Sequence, residues 1–185
     1  RQQGVQARRQ RDRAVNVGRW KLPESDRYFA PHLTEDGFQV AHLRAALKHV
    51  RAWRTAVDGG AHIGTWTCAM AARFGKVIAF EPAPDTFKCL LENTAGLLNV
   101  CLHEEALGAV HCGVSIVDDA IRPGNTGARF ITSDEASEEG FGASATMICL
   151  DELRLLDLDL LKLDIEGCEL FALQGASRTI LRCRP

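Results

Sequence analysis

Between Phe38 and Trp53 the apolar residues Val40, Leu43, Ala46, Leu47 and Val50 recur at spacings of three and four, with Arg44, Lys48 and Arg51 between them. That is the period of an amphipathic helix. The spacing then changes. Thr55-Ala56-Val57 reads as a short strand opening into Asp58-Gly59-Gly60, and helical spacing returns from Thr65 to Phe74 until Gly75 stops it. Lys76 to Phe80 is a second strand, ending at Glu81-Pro82, and Pro84 starts a helix that turns Phe87, Leu90 and Leu91 inward. Asn99 to Leu102 supplies a third strand. Leu158 to Ile165 is almost continuously apolar, as suits a strand buried on both faces, and a last helix runs from Glu169 with an interruption at Gly175. Alternating strands and helices predict an α/β fold with a doubly wound, mainly parallel sheet. Ligands are then expected at the carboxyl ends of the strands, where the winding reverses.

Two stretches stand outside this alternation. Residues 1–37 mix charges, Pro23, Pro31 and a few aromatics, and read as an N-terminal extension of short helices and turns before one domain over 38–185. Residues 111–147 carry turn signals at Pro123-Gly124-Asn125 and a polar run from Ser133 to Glu139, which predicts an inserted hairpin with a mobile tip.

Composition narrows the class. At 185 residues, 46% apolar and 25% charged, the chain suits one globular domain. The net charge of −2 gives no general case for a nucleic-acid or membrane partner. The charge is uneven, however: residues 1–21 hold seven basic side chains against Asp12 alone, on an otherwise acidic body. Such an arm can bind a polyanion or simply be a solvated face. The seven cysteines form no C-x-x-C pair or metal-ligand spacing, and there is no membrane-length apolar run or signal-peptide core. A reduced, cytoplasmic protein is the expectation.

The candidate chemistry lies at the strand ends. Asp58 precedes glycines that let a ligand approach the backbone at a helix start. The G-x-G-x-x-G dinucleotide pattern is not met, because Ala61 and His62 occupy the register. S-adenosylmethionine (SAM) carries an aminocarboxypropyl group in place of a pyrophosphate, and Asp58 suits its ammonium directly or through water. Glu81, at the next strand end, suits the two ribose hydroxyls. Glu105 and Ala106, within Glu104-Glu105-Ala106-Leu107-Gly108, are placed to meet the adenine, although either glutamate can equally be solvated. Lys162-Leu163-Asp164-Ile165-Glu166-Gly167-Cys168-Glu169 is the densest group. Strand alternation puts Lys162 and Asp164 on one face, and such charges are costly in a buried strand unless paired or functional.

The blocks VDGGAHIGTWT, VIAFEPAPDTFKCLLEN, EEALGA, CLDEL and LLKLDIEGCELFALQGA, in this order, resemble the FkbM family of methyltransferases over roughly Ala56 to Pro185. The resemblance implies a class I, Rossmann-like, SAM-dependent methyltransferase domain over 38–185, with a hydroxyl acceptor on a sugar, polyketide or other small molecule. It also implies a cofactor lining of Asp58, Gly60, His62, Ile63, Gly64, Thr65, Glu81 and Pro82. Two departures stand out. His62 occupies a place where the family commonly has Asn, and the family's C-terminal strands do not follow the last helix, which leaves a sheet edge bare.

Methyl transfer to a hydroxyl needs an aligned lone pair and a base. Asp164 or Glu166 is the expected base or orienter, with Lys162 holding the carboxylates, Glu169 acting as a first-turn helix acid, and His62 and His103 as weaker base candidates. No metal is expected, because no spacing demands one. The competing reading is a non-catalytic module that kept the fold and uses its arm and insertion to bind a partner. A nucleic-acid acceptor lacks the aromatic clamp a flipped base would want. A homo-oligomer stays open.

Overall fold

The computed structural model describes residues 13–133 and 143–185. At its centre is a parallel sheet of four strands, β3 (Thr55–Gly59), β4 (Lys76–Phe80), β5 (Val100–His103) and β10 (Leu158–Leu163), in the order β10-β3-β4-β5. The chain steps outward from β3 through β4 to β5 and then returns to the other side of β3. The carboxyl ends of β3 and β10 therefore lie side by side, in a register that pairs Asp58 with Lys162.

The central strands are apolar on both faces because both are covered. Ala56 and Val77 pack on one side against Leu43 of α1 (Val40–Leu47) and Met70 of α2 (Thr65–Ala71), together with Phe74. Val57, Ile78 and Phe80 pack on the other side against Leu158, Ala172 of α4 (Glu169–Gly175) and Ala176, which precedes α5 (Ser177–Cys183). Helix α3 (Pro84–Asn93) starts on its proline and buries Leu90, while Leu91, expected inward, is half exposed. Helix α1 is shorter than the Phe38–Trp53 pattern suggested. Strand β10 is only half-buried beyond Leu158, because β3 is its one strand neighbour among the described residues.

Both outlying stretches differ from expectation. The insertion is more than a hairpin. Strands β7 (Cys112–Val117), β8 (Phe130–Ser133) and β9 (Ala143–Ile148) join β6 (Glu105–Leu107) in a second four-stranded sheet, ordered β6-β9-β7-β8. Only a long-range partner makes β6 a strand: its three residues pair in parallel with Thr146, Met147 and Ile148. The polar stretch read as a hairpin tip lies, from residue 134 to 142, outside the described residues.

The N-terminal stretch, expected as short helices and turns, does contain one short helix, Ala30–His32, but before it forms an antiparallel hairpin, β1 (Ala14–Val17) and β2 (Trp20–Pro23). It packs on the domain: Trp20, Leu22 and Phe29 form a core with Ile63 and Cys89. Burying a side chain such as Leu22 contributes about 1.5 to 3 kcal/mol. Asn93 then fixes the position, accepting from Lys21 N (2.8 Å) and donating to Lys21 O (2.9 Å) and Ile63 O (2.8 Å). Of the arm's charges, Arg1, Arg8, Arg9 and Arg11 lie outside the described residues, while Arg19 stacks over Trp20 and Lys21 pairs with Glu92. Among the described residues no helix is long and apolar enough to cross a membrane.

Candidate functional site

The turn after β3 is built to bring backbones together. Gly60 has φ +71°, and a Cβ placed on it would meet Asp164 O at 2.0 Å, so only glycine fits. Gly60 N and Ala61 N both donate to Phe80 O, at 3.0 and 2.9 Å, which ties the turn to the end of β4. Gly64, at φ +88°, starts α2 with Leu90 Cδ1 filling its Cβ space.

Beneath this turn lies a buried charge pair. Asp58 is fully buried and accepts from Thr67 Oγ1 at 2.6 Å. The Lys162 ammonium lies 2.9 Å from Asp58 Oδ1 in ionic contact, but its N–H bonds point to Gly59 O (3.1 Å) and Gly60 O (2.7 Å). Asp58 Oδ1 consequently has no aligned donor among the described residues. Lys162 was expected to hold Asp164 and Glu166. The parallel register sets it opposite Asp58, and it pins the glycine turn from below.

Glu81 closes the other side of the turn. Its Oε2 accepts from His62 N (2.8 Å), and its Oε1 accepts from Ala83 N (3.1 Å) and Thr86 Oγ1 (2.8 Å). Burial pushes its carboxyl above the usual range, with these bonds acting in the opposite sense.

His62 adopts φ 53° and stacks on Phe29 with ring centroids 4.1 Å apart. Its Nε2 is 2.7 Å from Thr126 Oγ1, whose hydroxyl donates to Asp26. Assigned from this network, Nε2 carries the proton, and Nδ1 is a buried acceptor with no partner among the described residues. Burial lowers the His62 pKa to about 4, with Arg129 and Lys162 acting the same way and Asp26 against. The fold thus binds neutral imidazole, while an unfolded chain protonates below pH 6.5. The stability His62 contributes is complete above pH 6.5 and is lost as pH falls toward 4, a span worth about 3 kcal/mol. His62→Asn suits the positive φ and should remove this dependence. Urea unfolding at pH 7 and pH 4.5 checks it; an equal loss in both proteins would refute the assignment.

The open cleft above the turn is lined by Gly60, His62, Glu81, Pro82, Glu105, Ala106, Asp164 and Glu166. Asp58, Ile63, Gly64, Thr65 and Lys162 stand behind it, Ile63 in the hydrophobic core with Trp20 and Phe29. Glu105 is 3.2 Å from His103 Nδ1, and His103 stacks on Phe80. Asp164 and Glu166 are exposed on the loop after β10, Glu166 at φ 48°. Burial, and then the neighbouring Asp164, push the Glu166 carboxyl up. Glu169 folds back to accept from Ile165 N and Gly167 N, both at 3.0 Å, and so braces that loop.

Six residues of the cleft wall have no sequence signal: Phe29, Ile116, Thr126, Gly127, Arg129 and Ile131. Asp26 accepts from Tyr28 N (3.1 Å) and Phe29 N (2.7 Å) as well as from Thr126. Arg129 grips Asp85 with both terminal nitrogens and Asp118 with Nε (2.7 Å), tying the insertion to the first turn of α3.

Residues 58–185 match the methyltransferase FkbM domain family. The chain is 30% identical over 157 residues to the methyltransferase sdnD of Sordaria araneosa, a match that covers 64% of this chain and 59% of that protein. The chain therefore spans about three fifths of the length of that relative. The crystal structure of the methyltransferase FkbM from Methylobacillus flagellatus KT aligns with a TM-score of 0.49 at 21% identity, over 71% of this chain and 31% of that one.

Proposed function

Because this chain belongs to the methyltransferase FkbM domain family, we propose that it is a class I, Rossmann-like methyltransferase that binds SAM in the cleft and methylates a hydroxyl of a small molecule or sugar. The observation that carries this reading is the convergence of Gly60, Glu81, Glu105, Asp164 and Glu166 on one cleft beside the β3–β10 junction.

The donor set fits such a cofactor. Glu81 Oε2 accepts one bond from the protein and keeps a lone pair for a ribose hydroxyl. Glu105 and Ala106 line the same cleft, where an adenine amine would find an acceptor. Asp58 Oδ1 is buried below the turn without an aligned donor, and an ammonium group reaching it through water would supply one. The enclosed space is about 80 Å³, room for several waters rather than a nucleoside.

When bound, SAM supplies an electrophilic methyl on a sulfonium, and the rest of the chemistry falls to the chain. Lys162 and Asp58 hold the glycine turn at fixed height, while Phe29, Ile116 and Ile131 keep the cleft partly dry. Asp164 or Glu166 takes the hydroxyl proton. Burial raises the Glu166 carboxyl, which makes it a stronger base once ionised than an ordinary glutamate.

Calorimetric titration with SAM and with its demethylated product tests the cofactor. Binding of both is expected, with Glu81→Ala weakening it at least about tenfold, the worth of one charge-assisted hydrogen bond. A folded chain that binds neither would overturn the proposal and favour a non-catalytic module.

A further inference from the structure

Beside the cofactor cleft lies a second cavity of about 170 Å³, and the two share Thr126 and Arg129 as a common wall. It belongs to neither the glycine turn nor the strand ends. Ser25 of the N-terminal segment and Asp118, Asp119, Arg122 and Asn125 of the insertion line it, with no apolar side chain among them.

The cavity is organised in advance. Arg122 Nε donates to Asp119 at 2.6 Å, Asp119 Oδ1 also accepts from Ile121 N at 2.8 Å, and Asn125 Oδ1 accepts from Gly127 N at 3.2 Å. Arg129 is held by Asp85 and Asp118. One group on this wall is unsatisfied: the Ser25 hydroxyl is buried and has no hydrogen-bond partner among the described residues. A buried hydroxyl left so is costly in a fold, and a ligand hydroxyl would satisfy it.

The lining decides the ligand class. An apolar group would strip water from carboxylates and guanidinium groups without return. An anion would face Asp118 and Asp119, and a cation would face Arg122 and Arg129. A neutral polyhydroxylated ring can donate to the carboxylates and accept from the guanidinium, amide and hydroxyl groups at once.

We propose that this cavity is the acceptor subsite, formed jointly by the N-terminal segment and the insertion, and that it selects an uncharged sugar or cyclitol over its phosphorylated counterpart. Its role as an acceptor site rests on the cofactor reading above; its ligand class rests on its own lining. Ser25 and Asn125 set the selectivity, and the shared Thr126 wall is where one hydroxyl of the ring passes to the cleft.

The test is saturation-transfer NMR on the full chain, with and without the demethylated cofactor. The probes are four neutral methyl hexopyranosides (gluco, manno, galacto and rhamno) and the 6-phosphates of the first three. At least one neutral glycoside should receive saturation while its phosphate does not. Ser25→Ala should weaken that binding about fivefold, the worth of one neutral hydrogen bond, yet raise the melting temperature, because it deletes an unsatisfied buried hydroxyl. A purely structural serine would not give that opposite pairing. Asn125→Leu should abolish the signal. No saturation for any glycoside, equal binding of the phosphates, or indifference to both substitutions would overturn the subsite. Demethylated cofactor that binds while glycosides fail would sink this proposal alone. Glycosides that bind while the cofactor fails would sink the methyl-transfer reading and leave a sugar-binding cavity.

Discussion

Lys162→Met is expected to destabilise this protein by about 3 to 5 kcal/mol, the usual consequence of removing one partner of a buried ion pair. Asp58 has no solvent exposure, and Lys162 is the cation beside it, at 2.9 Å. Methionine matches the lysine stem but leaves the carboxylate in a low-dielectric interior with one hydroxyl bond, from Thr67. It also removes the side-chain donor of Gly60 O, while Gly59 O keeps its bond from Asp164 N at 3.1 Å. Urea unfolding measures the loss. Asp58→Asn combined with Lys162→Met should recover part of it, because the double change leaves no uncompensated charge. If the single substitution proved nearly neutral, the ammonium would not be what holds the turn.

The sequence displayed the central sheet because its signals are local. Gly75, Pro84 and the glycines of 59–64 punctuate the chain where the backbone needs them, and β3 and β4 are apolar on alternate residues of both faces. The second sheet was hidden for a physical reason. Strand β6 is three residues long, and its register comes from Thr146 to Ile148, some forty residues away. No window of local pattern contains both partners. Glu105 was placed at a ligand-facing strand end, and it does line the cleft, but the block around it is a strand start. The cleft wall was illegible for the same reason: Asp26 and Thr126 are 100 residues apart and meet through two hydrogen bonds, from Thr126 N and Thr126 Oγ1 to Asp26 Oδ2. Lys162 shows the limit of face arguments. Alternation put it on a face with Asp164, but register with β3, which alternation does not contain, decided what its ammonium touches.

Gly60→Ala should be nearly as damaging as Lys162→Met, through sterics rather than charge. A Cβ at this position would stand 2.0 Å from Asp164 O and 2.9 Å from its carbonyl carbon, and both are backbone atoms with no rotamer to retreat into. The residue is also at φ +71°, which L side chains rarely adopt. Left-handed strain of about 1 kcal/mol and the overpacking cost of about 1 to 3 kcal/mol together give a loss of roughly 2 to 4 kcal/mol. The contact joins the β3 turn to the loop that carries Asp164 and Glu166, so relief must come from pushing those two loops apart. Gly60 O would then leave Lys162, and the cleft would widen at its base. On the SAM-binding reading proposed above, affinity for SAM should fall as well, by more than about tenfold, in calorimetry on whatever folded fraction survives. Gly96→Ala is the matched control: it too has a positive φ, +89°, but open space where its Cβ would go, so it carries the strain without the collision. If both substitutions cost the same and neither altered binding, the close approach of Gly60 to Asp164 would have no part in shaping the site.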